Sequence, residues 1–88
     1  MARIFIPPAL QALAAGQQVI QIEGTTVREV IDRLESAYPG IKTHLCRDNQ
    51  LRSGWMIAVD SAFATSGLRE PLRIDSEVHF LPAIGGGA

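Results

Sequence analysis

The sequence predicts a small α+β domain: a mixed β-sheet with one main helix packed on one face. Three observations predict it. At 88 residues the chain makes one domain, short enough to bury only about 60% of the surface its unfolded form exposes. One stretch, Val27 to Tyr38, carries a clear helical period. The apolar residues on either side of it alternate, or form short runs closed by proline or glycine, as half-buried strands do.

Arg3 to Ile6 is rich in β-formers and is stopped by Pro7-Pro8, which cannot donate ladder hydrogen bonds, so it reads as the first strand. Pro8 to Gly16 reads as loop or a ragged helical turn, and Ala15-Gly16-Gln17 supplies a hairpin turn. Gln18 to Glu23 alternates, with Gln18, Ile20 and Ile22 on one side and Val19, Gln21 and Glu23 on the other. Thr26-Val27-Arg28-Glu29 is a capping box: the Thr26 hydroxyl can accept from the Glu29 amide, and the Glu29 carboxylate can reach back to the Thr26 amide. Val27, Val30, Ile31, Leu34 and Tyr38 then share one helix face. Arg28, Glu29, Asp32, Arg33 and Glu35 take the other, with Glu29 and Arg33 at ion-pair spacing. Pro39-Gly40 stops the helix.

Ile41 to Cys46 reads as one further short turn, and Arg47 to Gly54 as polar loop. Met56 to Asp60 is a strand with Ile57 and Val59 on one face. A turn around Asp60-Ser61 leads to a short return strand, Ala62-Phe63-Ala64. Leu72 to Ser76 leads through a turn into the last strand, Glu77 to Pro82. There Val78 and Phe80 have core parity while His79 and Leu81 face out. The order β-β-α-β(-β)-β, with a leading hairpin and one crossover helix, is that of the ubiquitin-like β-grasp roll. The expected division is a domain over 1–84 and a glycine-rich tail over 85–88.

Composition excludes several classes of function. The single Cys46 cannot form an internal disulfide, which fits a reducing compartment and excludes the small disulfide-stapled secreted scaffolds. Eight basic against nine acidic residues, net charge −1, supply no basic field for nucleic acid. No apolar run approaches the roughly 18 residues of a membrane helix. The N-terminal Arg3, Ile4-Phe5-Ile6 and Leu13-Ala14-Ala15 loosely imitate a signal peptide, but Pro7-Pro8 and Gln11 break the run. The reading is a soluble cytoplasmic protein.

Catalytic constellations are missing from the sequence. His44 and Cys46 lie two apart without further ligands at zinc spacing, and His79 is distant, so no metal site is expected. Cys46 has no base at a telling position and reads as a small residue closing the core or near the surface. Ser53, Ser61, Ser66 and Ser76 lie in turn-like sequence without a nucleophile elbow. No catalytic residue is assigned, and the chain is expected not to be an enzyme.

The glycine run supplies the positive signal. Gly85-Gly86-Gly87 follows directly on a strand, where it is costly to order and useless for packing. It suits threading into a narrow channel in which another protein acts on the chain terminus. Three such residues reach about 10 Å at ~3.4 Å each.

With that tail behind such a roll, the chain resembles the MoaD/ThiS family of ubiquitin-like sulfur carriers, and within it the CysO-type branch of cysteine biosynthesis. The resemblance covers essentially the whole chain. It rests on Ile6-Pro7-Pro8-Ala9-Leu10, on Leu34 to Ile41, and most specifically on Pro71-Leu72, Asp75-Ser76-Glu77-Val78, Phe80-Leu81-Pro82-Ala83-Ile84 and Gly86-Gly87. It implies that an E1-like adenylyltransferase uses ATP to adenylate the carboxylate of Gly87, behind Gly86. Sulfide or a persulfide then displaces AMP to leave a thiocarboxylate. The carrier hands that sulfur to an acceptor enzyme, cysteine synthase-like or molybdopterin/thiamin synthase-like. The carrier itself binds no cofactor. The family pattern ends at the diglycine, whereas Ala88 follows here, which implies removal of Ala88 by a zinc metalloprotease. In the family the position of Leu81 contacts the partner, so docking is expected at Leu81, His79 and Pro82. The same tail also suits a ubiquitin-like modifier forming isopeptide bonds to lysines, or an interaction module with an inert tail. The end product is a property of the partner enzymes rather than of this chain.

Overall fold

The structure, a computed structural model, describes residues 1–83. Its elements are β1 (Ala2–Phe5), a 3-10 helix (Pro8–Ala14), β2 (Val19–Ile22), α1 (Val27–Ala37), α2 (Ile41–Leu45), β3 (Cys46–Arg47), β4 (Gln50–Leu51), β5 (Trp55–Val59), β6 (Ala62–Phe63), a second 3-10 helix (Gly67–Arg69) and β7 (Glu77–Pro82). Five strands form one mixed sheet in the order β2-β1-β7-β5-β6. β1 runs parallel to β7, and the other neighbours are antiparallel. α1 crosses from the first hairpin to the later strands. This is the β-grasp roll that the order of elements predicts.

Register explains the core. Ile4 of β1 stands opposite Ile20 of β2 and Val78 of β7, and Ile57 of β5 stands opposite Phe80 of β7. These side chains are buried together with Val27, Val30, Ile31 and Leu34 of α1, the face its periodicity marks out. Full burial of each such side chain is worth about 1.5–3 kcal/mol. Tyr38 packs at the margin. The helix comes in close where Gly24 precedes it: a Cβ there would stand 2.7 Å from the Val30 side chain.

The cap of α1 differs in one half from the expected box. The Glu29 amide donates to Thr26 Oγ1 at 3.2 Å, as expected. The Glu29 carboxylate accepts from the Thr25 amide at 2.8 Å and not from Thr26. With that carboxylate turned back to the helix entry, Glu29 makes no ion pair with Arg33.

The stretch 47–54, expected as plain loop, instead holds a miniature hairpin: Cys46 pairs with Leu51 and Arg47 with Gln50. Asp48 and Asn49 make its turn with φ of 53° and 63°, a conformation these two residue types tolerate better than most. The short turn after Gly40 is a five-residue helix, α2. Gly40 has φ 104°, which favours glycine there. Glu35 caps α2 from the last turns of α1: its carboxylate accepts from the amides of Gly40 and Lys42, at 3.0 and 2.9 Å. Those bonds hold its pKa below the ordinary carboxylate value.

Candidate functional site: the sheet face and the tail root

The sheet face away from α1 is built by strand parity. Phe5, His79 and Ala58 stand side by side on β1, β7 and β5, with Val19 of β2 and Phe63 of β6 at the ends. Leu81 and Met56 form the next cross-strand pair toward the end of β7. Val19, Met56, Phe63 and Leu81 are exposed, between 38% and 63% of their surface. Seven residues thus make one mostly apolar face spanning all five strands. Its other end is polar, where Arg3 and Glu77 form an ion pair and His79 Nε2 stands 3.8 Å from a Glu77 oxygen.

The structure brings together two of the three residues expected to dock. His79 and Leu81 share the outer face. His79 is no free surface side chain, since its ring lies against Phe5. Pro82 has the opposite parity and stands across from Trp55. Phe5, Val19, Met56 and Phe63 were not singled out in the sequence. Their signal was local alternation, but only the strand register joins them to Leu81.

β7 ends on the same side of the sheet as the Leu81–Met56 pair. The Ala83 amide donates to the Gly54 carbonyl at 2.9 Å, the last backbone bond of the β5–β7 ladder. The start of β7 is fixed by Asp60 in the β5–β6 turn. One Asp60 oxygen accepts from the buried Ser76 hydroxyl and the other from the Glu77 amide, both at 2.9 Å. Those two bonds, the amide first, hold the Asp60 pKa below its usual value. Gly86, Gly87 and Ala88, the residues expected to react or to be trimmed, lie outside the described residues, as does the 84/85 boundary.

Cys46 is buried, and loss of solvation pushes its thiol pKa up, against a smaller opposing pull from Lys42. A raised thiol pKa is the reverse of what a nucleophile needs. Among the described residues no group of three or more His, Cys, Asp or Glu could hold a metal ion, and no helix is long and apolar enough to cross a membrane.

A sequence model of the ThiS family matches residues 6–87, from the residue after β1 through the second glycine of Gly86-Gly87. The chain belongs to the ThiS family. It is also similar to the CysO structures. A chain of the Amycolatopsis orientalis BexX/CysO complex is 28% identical, with 99% of this chain and 100% of that one covered and a TM-score of 0.89. Mycobacterium tuberculosis CysO is 27% identical over 96% and 100% of the two chains, with a TM-score of 0.88. The small archaeal modifier protein 1 of Methanosarcina acetivorans, at 22% identity over 98% and 95% and a TM-score of 0.80, shares the fold. No curated protein sequence matches. This ThiS-family chain therefore stands among the ubiquitin-fold sulfur carriers, close to CysO, and its relatives are small carrier proteins rather than enzymes.

Proposed function

We propose that the chain is a cytoplasmic sulfur carrier, a co-substrate whose reacting group is the carboxylate of Gly87 once Ala88 has been removed. A carboxylate is a poor acyl donor. Attack of its oxygen on the α-phosphorus of ATP expels pyrophosphate and gives a mixed anhydride with AMP. Sulfide then adds at that carbonyl carbon, AMP leaves with the bonding pair, and a thiocarboxylate remains. ATP and the catalytic groups belong to an E1-like adenylyltransferase, and trimming to a zinc metalloprotease. The globular domain, 1–84, supplies recognition through the Leu81–His79 face, and the tail, 85–88, delivers the reacting atom. By likeness to CysO, the acceptor is a cysteine synthase-like enzyme.

The observation that carries this reading is the family match running through Gly87, on a chain whose last strand ends beside an open apolar face. Interfaces centre on a few desolvated apolar side chains, and Leu81 with Met56 offers such a centre next to the tail root. The test is intact-mass analysis of the chain recovered from its own cells with an amino-terminal tag. A form ending at Gly87 with sulfur in place of one oxygen supports the carrier. Recovery only as conjugates on lysines of other proteins contradicts it in favour of a modifier.

A further inference from the structure

Trp55 is the only tryptophan of the chain, and it sits half-buried where three segments meet. It opens β5 directly across from Pro82. Its indole Nε1 donates to the His44 carbonyl of α2 at 2.8 Å. Arg52, three residues earlier, continues the same fastening: its Nε donates to the Thr43 carbonyl and its amide to the Leu45 carbonyl, both at 2.9 Å. Three successive carbonyls at the end of α2, which a helix terminus would otherwise leave open, are thus taken by residues 52–55. Gly54, in the middle of that segment, holds the Ala83 amide at 2.9 Å. Since Glu35 fastens the other end of α2 to α1, the root of the tail is tied through Trp55 to the main helix.

Building on the sulfur-carrier reading, we propose that Trp55 is a positioning residue for the reaction at Gly87, holding the Gly54–Ala83 corner so that the tail leaves from one fixed point. The residues after Ala83, through Gly87, extend at most about 14 Å at ~3.3–3.6 Å each. A loose root adds freedom that must be removed again when the terminus enters the adenylation site, roughly a tenfold penalty per residue released. Reacting groups tolerate little misplacement, about 1 Å costing on the order of a hundredfold in rate. Trp55 has the opposite parity to Leu81, so its effect is separable from docking through the outer face.

The test uses the chain ending at Gly87 with ATP, sulfide and the adenylating enzyme of the same genome, and compares the parent with Trp55→Ala and Trp55→Phe. Exchange of the Ala83 amide is followed alongside. Trp55→Ala is expected to lower kcat about tenfold or more while KM, set by the docking face, stays within about twofold. The Ala83 amide should exchange faster while the Ile57 and Val78 amides keep the parent's protection. Trp55→Phe, which retains a ring but loses the bond to His44, should show a smaller loss of the same kind. Should Trp55→Ala not fold, Trp55→Phe alone decides. A folded variant with the parent's kcat, or a loss confined to KM, overturns the positioning role alone. A parent chain that is not activated, with an enzyme active on a known carrier, overturns the carrier reading and this role with it.

Discussion

The imidazole of His79 lies flat on the ring of Phe5, centroids 4.0 Å apart and planes within 8°. The two residues face each other across the parallel β1–β7 pair in the middle of the sheet. Phe5 belongs to the first strand and His79 to the last, so the stack closes the outer face into one surface where those two strands pair. Leu81, two residues beyond His79 and on the same face, extends that surface toward the tail. The face is therefore continuous from the central stack to the end of β7.

Leu81→Glu places a charge on that face near the end of β7 without touching the core, because Leu81 points away from Phe80 and Val78. The mutant should melt close to the parent and bind the activating enzyme at least tenfold more weakly, the scale expected of a central interface residue. Met56→Glu, on the cross-strand partner of Leu81, should act in the same direction. Calorimetric titration of the folded mutants checks both. Unchanged affinity would remove the docking role from this face.

The helix face supplies the opposite behaviour. Leu34 is fully buried between α1 and the sheet. Leu34→Ala should destabilise the domain by about 2–5 kcal/mol, a large part of what a domain this small possesses. Urea unfolding monitored by Trp55 fluorescence measures it. A midpoint equal to the parent's would show that α1 contributes little to the core.

Asp60 makes stability depend on acidity. Its folded-state pKa lies below the ordinary carboxylate value, because the Glu77 amide and the Ser76 hydroxyl bind the charged form. The contribution is therefore complete above the unfolded value of about 4 and is lost as pH falls through the lower folded value. Asp60→Asn should melt below the parent at neutral pH, and the gap should narrow below about pH 4. A gap that stays constant from pH 7 to pH 2.5 would show that the carboxylate's charge contributes nothing.

Much of this was legible in the sequence because it is local. The Thr26 cap, the buried stripe Val27-Val30-Ile31-Leu34 and the alternation of β7 each need only neighbouring residues to be read. The errors arose where a choice between neighbours or a distant partner decides. Glu29 took the Thr25 amide over that of Thr26, one residue away. The β3–β4 hairpin leaves no signal because each strand is two residues long, too short for a period, although Asp48-Asn49 suits its turn. The outer face was legible only in part. Leu81 and His79 follow from parity along one strand, but joining them to Phe5, Met56 and Phe63 needs the register of three strand pairs. Trp55 gave no local sign of its place at the tail root, since its partners His44 and Pro82 lie far off along the chain.

The central claim is that Gly87 carries the reacting carboxylate. Ala88 would displace that carboxylate by about 3.4 Å and add a methyl group to the channel, far more than reaction geometry tolerates. The most direct measurement is intact mass after incubation with ATP, sulfide and the activating enzyme, for the chain ending at Gly87 and the chain ending at Ala88. The first should exchange one oxygen for sulfur and the second should not, and Gly87→Val should fold and remain unconverted. Equal conversion of both ends would contradict the requirement for trimming. Conversion of neither, by an enzyme that converts a known carrier, would contradict the account as a whole.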